Sequence, residues 1–309
     1  LTLTKNMEIL VRDKSVKILK RTPKKTIEEL REHSLVILNK PKGPYSRKAT
    51  RFLLDLGIKK AGHAGTLDPI TTGVLPIFLN RGNKISSILS LSKKIYRANM
   101  HLHKEVTKSD IKKAVKKFTG KIEQMVPRKA AVKRQLRTRE VYESKVEKIE
   151  GRNVTLYVEC EAGTYIRKLI HDLGEDLGVG ANMDDLERIK SGPFFLKSAQ
   201  STKTITNALT SNDETKLRKV LLPLERAVEE MQKVWVDDGV IKPFSHGSPV
   251  YYNGILQLTD GIKKKEKVAV FNTKNELIGL GIARGDSKEL LTETEGVAIR
   301  NDINLLKIK

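Results

Sequence analysis

The run Gly62-His63-Ala64-Gly65-Thr66-Leu67-Asp68-Pro69 decides how this chain is read. Its glycines let the backbone come close to a ligand, and Pro69 fixes the chain directly after a carboxylate. Asp68, held between Leu67 and Pro69, is expected in a desolvated place that would raise its reactivity. By itself the run also fits an ordinary Asx-type turn. No Gly-Lys-Ser/Thr closes it, so it is no phosphate-cradling loop, and its spacing does not match a dinucleotide fingerprint.

Upstream, Ser34-Leu35-Val36-Ile37-Leu38-Asn39 reads as a buried strand, ended by Lys40-Pro41-Lys42-Gly43-Pro44. A helix is expected over about 46–56, with Ala49, Phe52, Leu53 and Leu56 on one face and Gly57 as its cap. Downstream come an apolar run, Val74–Leu79, and a strand over Lys94–Leu102. Thr107-Lys108-Ser109-Asp110 opens a helix with Ile111, Ala114, Val115 and Phe118 on one face and lysines on the other. A strand ending at Cys160 leads through Gly163-Thr164 into a helix carrying Ile166, Leu169, Ile170, Leu173 and Leu177. Further helices are expected near 182–190, closed by Ser191-Gly192-Pro193, and over about 214–231. Ser, Thr, Asn and Lys dominate 199–216. From Val234 onward short strands and turns take over: 233–236, 267–271, a turn at 272–276, and 277–283. That texture predicts a small β-rich domain.

Among 309 residues, 59 are Lys or Arg and 37 are Asp or Glu, a net charge of +22 that concentrates polyanions. Nucleic acid is the partner such a field favours; a merely solvated basic surface is the plainer alternative. Aromatic residues make up 5%, which argues against a surface of base-stacking platforms. Six basic residues and no acid fall in 128–139, among them Lys133, Arg134 and Arg137. The lone Cys160 excludes an internal disulfide framework and a multi-cysteine zinc site. His101 and His103 lack a third ligand nearby, so no metal is expected. With no secretory signal and no membrane-length apolar run, the chain is expected to be soluble and intracellular.

The opening run resembles the signature of the TruB/dyskerin family of pseudouridine synthases, which centres on Gly-His-x-Gly-Thr-Leu-Asp-Pro. The likeness extends to Asn39-Lys40-Pro41-Lys42-Gly43-Pro44, Thr72-Gly73-Val74-Leu75-Pro76, Lys94-Ile95-Tyr96, Gly163-Thr164-Tyr165-Ile166-Arg167 and Ser191-Gly192-Pro193-Phe194, in family order over 34–195. The resemblance implies that Asp68 is the catalytic aspartate and Tyr96 a tyrosine against the target uridine. It makes Arg167 the arginine that pairs with the aspartate and would keep it ionised despite burial. His63 would help hold a nucleotide extruded from its stack. Alone, Tyr96 also reads as a strand aromatic, Arg167 as a surface charge and His63 as a turn hydrogen-bonder.

The implied fold is α/β (α+β): a mixed-sheet pseudouridine synthase domain at 34–232, a small β-barrel-like PUA domain at 233–309, and a basic extension at 1–33 that would pack on the PUA domain. Phe244-Ser245-His246-Gly247-Ser248-Pro249 and Gly279-Leu280-Gly281-Ile282-Ala283 carry the PUA resemblance. Lys40, Lys133, Arg134, Arg137, His246, Gly247 and Pro249 are the implied RNA contacts besides His63. Ala131–Arg137 and His101–Val106 resemble the archaeal and eukaryotic branch, whose members work with an H/ACA guide RNA, a substrate RNA and small core proteins. The absence of long lysine-rich tails fits an archaeal type in the cytoplasm. Isomerisation needs no cofactor. A stand-alone tRNA T-arm enzyme and an idle RNA-binding scaffold remain as alternatives. Ala64, Val126-Pro127 and Glu187 depart from frequent family residues, which touches the grip on substrate and not the reaction.

Overall fold

The computed structural model describes residues 7–126, 134–211 and 213–306. They form two compact units, one drawn from Leu1–Leu35, Leu79–Ile85 and Leu221–Lys309, the other from Val36–Phe78 and Ser86–Val220. In chain order the strands are β1 (Ile9–Val11), β2 (His33–Lys40), β3 (Ala61–His63), β4 (Thr71–Asn80), β5 (Lys94–Leu102), β6 (Gly120–Met125), β7 (Leu136–Glu150), β8 (Asn153–Cys160) and β9 (Ala181–Ser191). They continue with β10 (Phe194–Phe195), β11 (Leu222–Pro223), β12 (Lys233–Val236), β13 (Val250–Tyr251), β14 (Ile255–Thr259), β15 (Lys267–Phe271), β16 (Leu277–Ala283) and β17 (Val297–Asn304).

The unit built from Val36–Phe78 and Ser86–Val220 is a mixed sheet in which β4, β9, β5, β8, β7 and β6 are successive neighbours. β4 and β9 run parallel, and β9, β5, β8, β7 and β6 pair antiparallel. Alternation along β8 sends Val154, Leu156, Val158 and Cys160 inward, where Ile111, Ala114 and Val115 of the helix Lys108–Lys117 join them. Ile166, Leu169, Ile170 and Leu173 of the helix Ile166–Asp176 complete this core. Helical spacing of three and four residues brings each apolar row to one face, as the sequence predicts. Thr107 caps the first of these helices by accepting the Asp110 N–H.

The other unit is a seven-stranded mixed sheet in the order β1-β14-β12-β15-β16-β17-β13, with β12 and β15 parallel. Ile9–Val11 pairs antiparallel with Gln257–Thr259 on its edge. Its core gathers Val234, Val236, Phe244, Leu258, Val268, Val270 and Ile299. The residues near 272–276 form a turn in which the Asn272 N–H donates to the Glu276 carbonyl and Asn275 takes φ +58°.

Three expected helices are corrected. Residues 182–190 are strand β9, held on one side by β5 and on the other by β4. Their helix-forming composition yields to two ladders of backbone hydrogen bonds, a tertiary demand that intrinsic propensity, below about 1 kcal/mol per residue, does not outweigh. The helix expected at 46–56 is two short ones, Ser46–Ala49 and Phe52–Asp55. Between them the Thr50 hydroxyl donates to the Arg47 carbonyl and competes with the helical ladder. The helix expected at 214–231 stops at Val220, because Pro223 has no N–H and turns its predecessor extended. A 3₁₀ turn, Leu224–Val228, follows.

Candidate active site

The loop that follows β3 is fastened at nearly every residue. The Ala64 N–H donates to the Pro76 carbonyl at 2.9 Å. Ser46 brackets Leu67, its hydroxyl accepting from the Leu67 N–H at 2.7 Å and donating to the Leu67 carbonyl at 2.9 Å. The Pro69 carbonyl accepts from the Gly43 N–H at 2.8 Å, and the Thr71 N–H donates to the Asp68 carbonyl at 3.0 Å. Lys40 is fully buried and its ammonium donates to the carbonyls of Pro41, Thr71 and Pro69 at 2.9, 2.8 and 3.4 Å. So the motifs around Lys40–Pro44 and Gly62–Pro69, far apart in sequence, are clamped together by main-chain groups.

These bonds fix the Asp68 backbone and leave its side chain free to face outward. The carboxylate accepts from Arg167 Nη2 at 2.7 Å, and the two side chains are 57% and 56% exposed. The expected burial of Asp68 is therefore corrected: the loop's apolar Ala64 and Leu67 turn inward and the carboxylate turns out. Arg167 is the second residue of its helix, where a cation opposes the positive end of the helix dipole, and no acid lies in that first turn. Gln124, 2% exposed on β6, sets this end of the helix by accepting the Tyr165 N–H at 3.0 Å and donating to the Tyr165 carbonyl at 3.1 Å. An exposed ion pair contributes about 0–1 kcal/mol to stability. The pairing therefore adds little to the stability of the fold.

Tyr96 lies on β5, half-buried, opposite Val158 on one side and Arg188 on the other. Burial pushes its phenol up, while the neighbouring Arg188 guanidinium pulls it down and the Asp68 charge is near enough to act on it. The phenol is thus a neutral proton-bearing group at neutral pH. His63 on β3 is half-buried, and its imidazole is held below its usual value by burial and then by the Arg188 charge. Its Nδ1 is enclosed and has no hydrogen-bond partner among the described residues.

Asp68 and Arg167 are thus paired, with Tyr96 and His63 in the same electrostatic neighbourhood through Arg188. The direct RNA contact expected of Lys40 is corrected, since a fully buried ammonium on three carbonyls has no surface to offer; it holds the loop of Asp68. Burial lowers its pKa first, Asp68 raises it and Arg188 lowers it. Arg134 is exposed and Arg137 half-buried at the start of β7, whereas Lys133 lies outside the described residues.

In the other unit Gly247 and Pro249 line a cleft of about 520 Å³ with Tyr252, Arg284, Val297, Arg300 and Asn301. His246 is not among its lining residues: its ring Nδ1 donates to the Lys242 carbonyl at 2.9 Å, closing the helix Ile241–Ser245. Arg284 and Arg300 escaped the sequence reading, since neither stands in a quoted motif. Arg188 falls in the run 182–190 expected as a helix, yet it is 1% exposed and donates to the Val74 and Gly65 carbonyls, both at 2.8 Å. The signal that could have found it is the pair of glycines at 65 and 73, which its approach requires. Among the described residues no group of three or more His, Cys, Asp or Glu is placed to hold a metal ion. His101 instead engages Asn153. No helix among them is long and apolar enough to cross a membrane.

The N-terminal domain model of the TruB family of pseudouridylate synthases matches residues 53–166 of this chain. The C-terminal domain model of tRNA pseudouridylate synthase B matches 167–229, and the PUA domain model matches 232–304. A probable tRNA pseudouridine synthase B of Nanoarchaeum equitans is 42% identical over 277 residues, 88% of this chain and 80% of that protein. Another from Korarchaeum cryptofilum is 46% identical over 86% of this chain and 84% of its own length. Among solved structures, the crystal structure of a Cbf5–Nop10–Gar1 complex contains a chain with a TM-score of 0.92 and 38% identity, covering 97% of this chain and 94% of that one. A structure of an H/ACA ribonucleoprotein bound to a substrate RNA containing 2'-deoxyuridine gives a TM-score of 0.90 and 36% identity over 97% and 95%.

Proposed function

The chain belongs to the TruB family of pseudouridylate synthases, and from that premise we propose that it is the catalytic subunit of an archaeal-type H/ACA ribonucleoprotein. It is a pseudouridine synthase of the TruB/Cbf5 type with an RNA-binding PUA domain. The observation that carries the guided reading is the likeness over 97% of the chain to Cbf5 in a Cbf5–Nop10–Gar1 complex and to an H/ACA ribonucleoprotein with substrate RNA. On that reading the partners are a guide RNA, a substrate RNA, ribosomal or transfer, and core proteins like Nop10 and Gar1, in the cytoplasm. The relatives named tRNA pseudouridine synthase B favour a second reading, a stand-alone enzyme for tRNA.

In the proposed chemistry the bond from C1' to N1 of uridine breaks and a bond from C1' to C5 forms. The proton on C5 leaves and N1 gains one, so nothing is consumed. Asp68 is the group that engages the reacting nucleotide, and Arg167 keeps its carboxylate aimed. Tyr96 offers a neutral phenol against the base for the proton steps. His63 supports a nucleotide turned out of its helix, because glycosidic chemistry cannot proceed inside a stack. Gly247 and Pro249, with the cationic cleft around them, are assigned to guide RNA. We take 34–232 as the catalytic part, 233–309 as the PUA part and 1–33 as an extension joined to the latter; the matched ranges and the pairing of β1 with β14 support this division.

The test incubates the protein with T-arm tRNA and with a guide–target pair, with and without core proteins, and maps pseudouridine. Product that requires the guide is expected; equal product without it overturns the guided assignment in favour of the stand-alone one. In the same assay Asp68→Asn is expected to lower product formation by roughly 10³-fold or more while RNA affinity stays within about twofold. Turnover near wild type would remove Asp68 from its role.

A further inference from the structure

Arg188 is among the largest fully buried side chains, and the chemistry assigned above does not use it. A guanidinium in such a place is normally met by a carboxylate. Here carbonyl oxygens take its N–H groups: Nε donates to Val74 on β4 and Nη2 to Gly65 in the loop that carries Asp68. The chain is shaped to let it in. Gly65 has φ +85°, and a Cβ there would stand 3.2 Å from Arg188 Nη1. Gly73 has φ +99°, pairs with Arg188 across the parallel ladder, and would place a Cβ 2.3 Å from its carbonyl oxygen. On the other edge of β9, Arg188 is the register partner of Tyr96, so both side chains leave the same face of the sheet.

We infer that Arg188 is a positioning residue for the isomerisation: its planar fork sets the Tyr96 phenol in place against the loop that presents Asp68. The inference rests on the pseudouridine synthase reading. Its physical ground is that one rigid group with five donors in fixed directions can tie β4, the Asp68 loop and β5 at once, which a flexible ammonium or a neutral amide cannot. A core residue chosen only for stability would be apolar there, because a buried charge without an opposite partner is a liability. With 1% of its surface exposed, Arg188 does not touch RNA, so its loss is read in the chemical step and not in RNA affinity.

The test is a double-mutant cycle between position 188 and the Tyr96 hydroxyl, read by single-turnover pseudouridine formation and by RNA binding. Arg188→Lys keeps the charge and loses the fork. Arg188→Gln drops the charge, which makes burial easier, and serves where the lysine variant unfolds; circular dichroism and melting check both. In the otherwise unaltered protein either variant is expected to slow the chemical step about 100-fold, with RNA affinity within about twofold. In the Tyr96→Phe background the same change is expected to slow it less than about threefold, because the group being positioned is gone. Losses that multiply independently, or an RNA affinity that falls as far as the rate, overturn the inference. Unaltered protein that forms no pseudouridine on any of these RNAs overturns the functional reading and this inference with it, and that outcome is seen before any variant is compared.

Discussion

Lys94 is 3% exposed, and its ammonium donates to the carbonyls of Leu89, Ser90 and Ser92 at 2.7, 2.8 and 2.6 Å. It closes the C-terminal end of the helix Ser86–Leu91, where the dipole favours a cation. Burial first, and the nearby Arg188 charge second, push it from the usual 10.5 down to about 7. The folded chain then releases this proton before the unfolded chain does. The penalty of burying the ammonium is complete at and below pH 7 and is relieved as pH rises from 7 toward 10.5. Relative to Lys94→Met, the wild type is therefore expected to gain about 1.4 kcal/mol of stability per pH unit inside that window. Urea unfolding of both proteins at pH 7 and pH 9 measures it. A difference that does not move with pH would mean that the three carbonyls keep the group charged throughout.

At the scale of elements, the pairing of β4 with β9 is the joint on which the site depends. It brings Thr71–Gly73 alongside Leu186–Arg188, and it admits no side chain at Gly73. Gly73→Ala would set a methyl 2.3 Å from one backbone oxygen and 2.9 Å from the Arg188 nitrogen, in a conformation that L-residues avoid. The strands would have to part, so a loss of about 3 kcal/mol or more is expected in chemical unfolding. Gly57→Ala is the contrast: the same left-handed region, φ +86°, but open space around the Cβ, and a loss nearer 1–2 kcal/mol. Equal losses at the two positions would show that backbone strain alone, and not the close approach of β9, makes Gly73 necessary.

Across the whole molecule, a net charge of +22 makes RNA affinity a matter of counterion release. Within the unit that holds the cleft, exposed Arg284 and Arg300 are the lining cations. Replacing both by Ala is expected to weaken guide RNA binding and to reduce the slope of log affinity against log salt by about 2. The single-turnover rate at saturating RNA is expected to stay as it was, since these residues lie in a different unit from Asp68, Tyr96 and Arg167. An unchanged salt slope would take both arginines out of the RNA contact.

The sequence by itself determined the family, whose resemblance implied a mixed sheet and roles for Asp68, Tyr96 and Arg167, and its apolar periodicity marked single elements, because ordered motifs and periodicity are written locally. Strand β8, with its alternating buried residues, and the helix Ile166–Asp176, with its apolar stripe, were legible for that reason. Pro223 also stood in plain view as a helix stop, and only its neighbours' helical composition hid it. Other features belonged to no single stretch. Residues 181–191 became a strand because two neighbouring strands claimed their backbone groups. Lys40 became a buried clamp because three carbonyls converge where two distant motifs meet, and Asp68 turned outward because Leu67 filled the core in its place. Arg188 entered the site through a register that sets it opposite Tyr96. The Asp68 carboxylate was placed in its turn by the local run Gly62–Pro69; its exposure, its clamp and its neighbours were fixed by how distant segments pack.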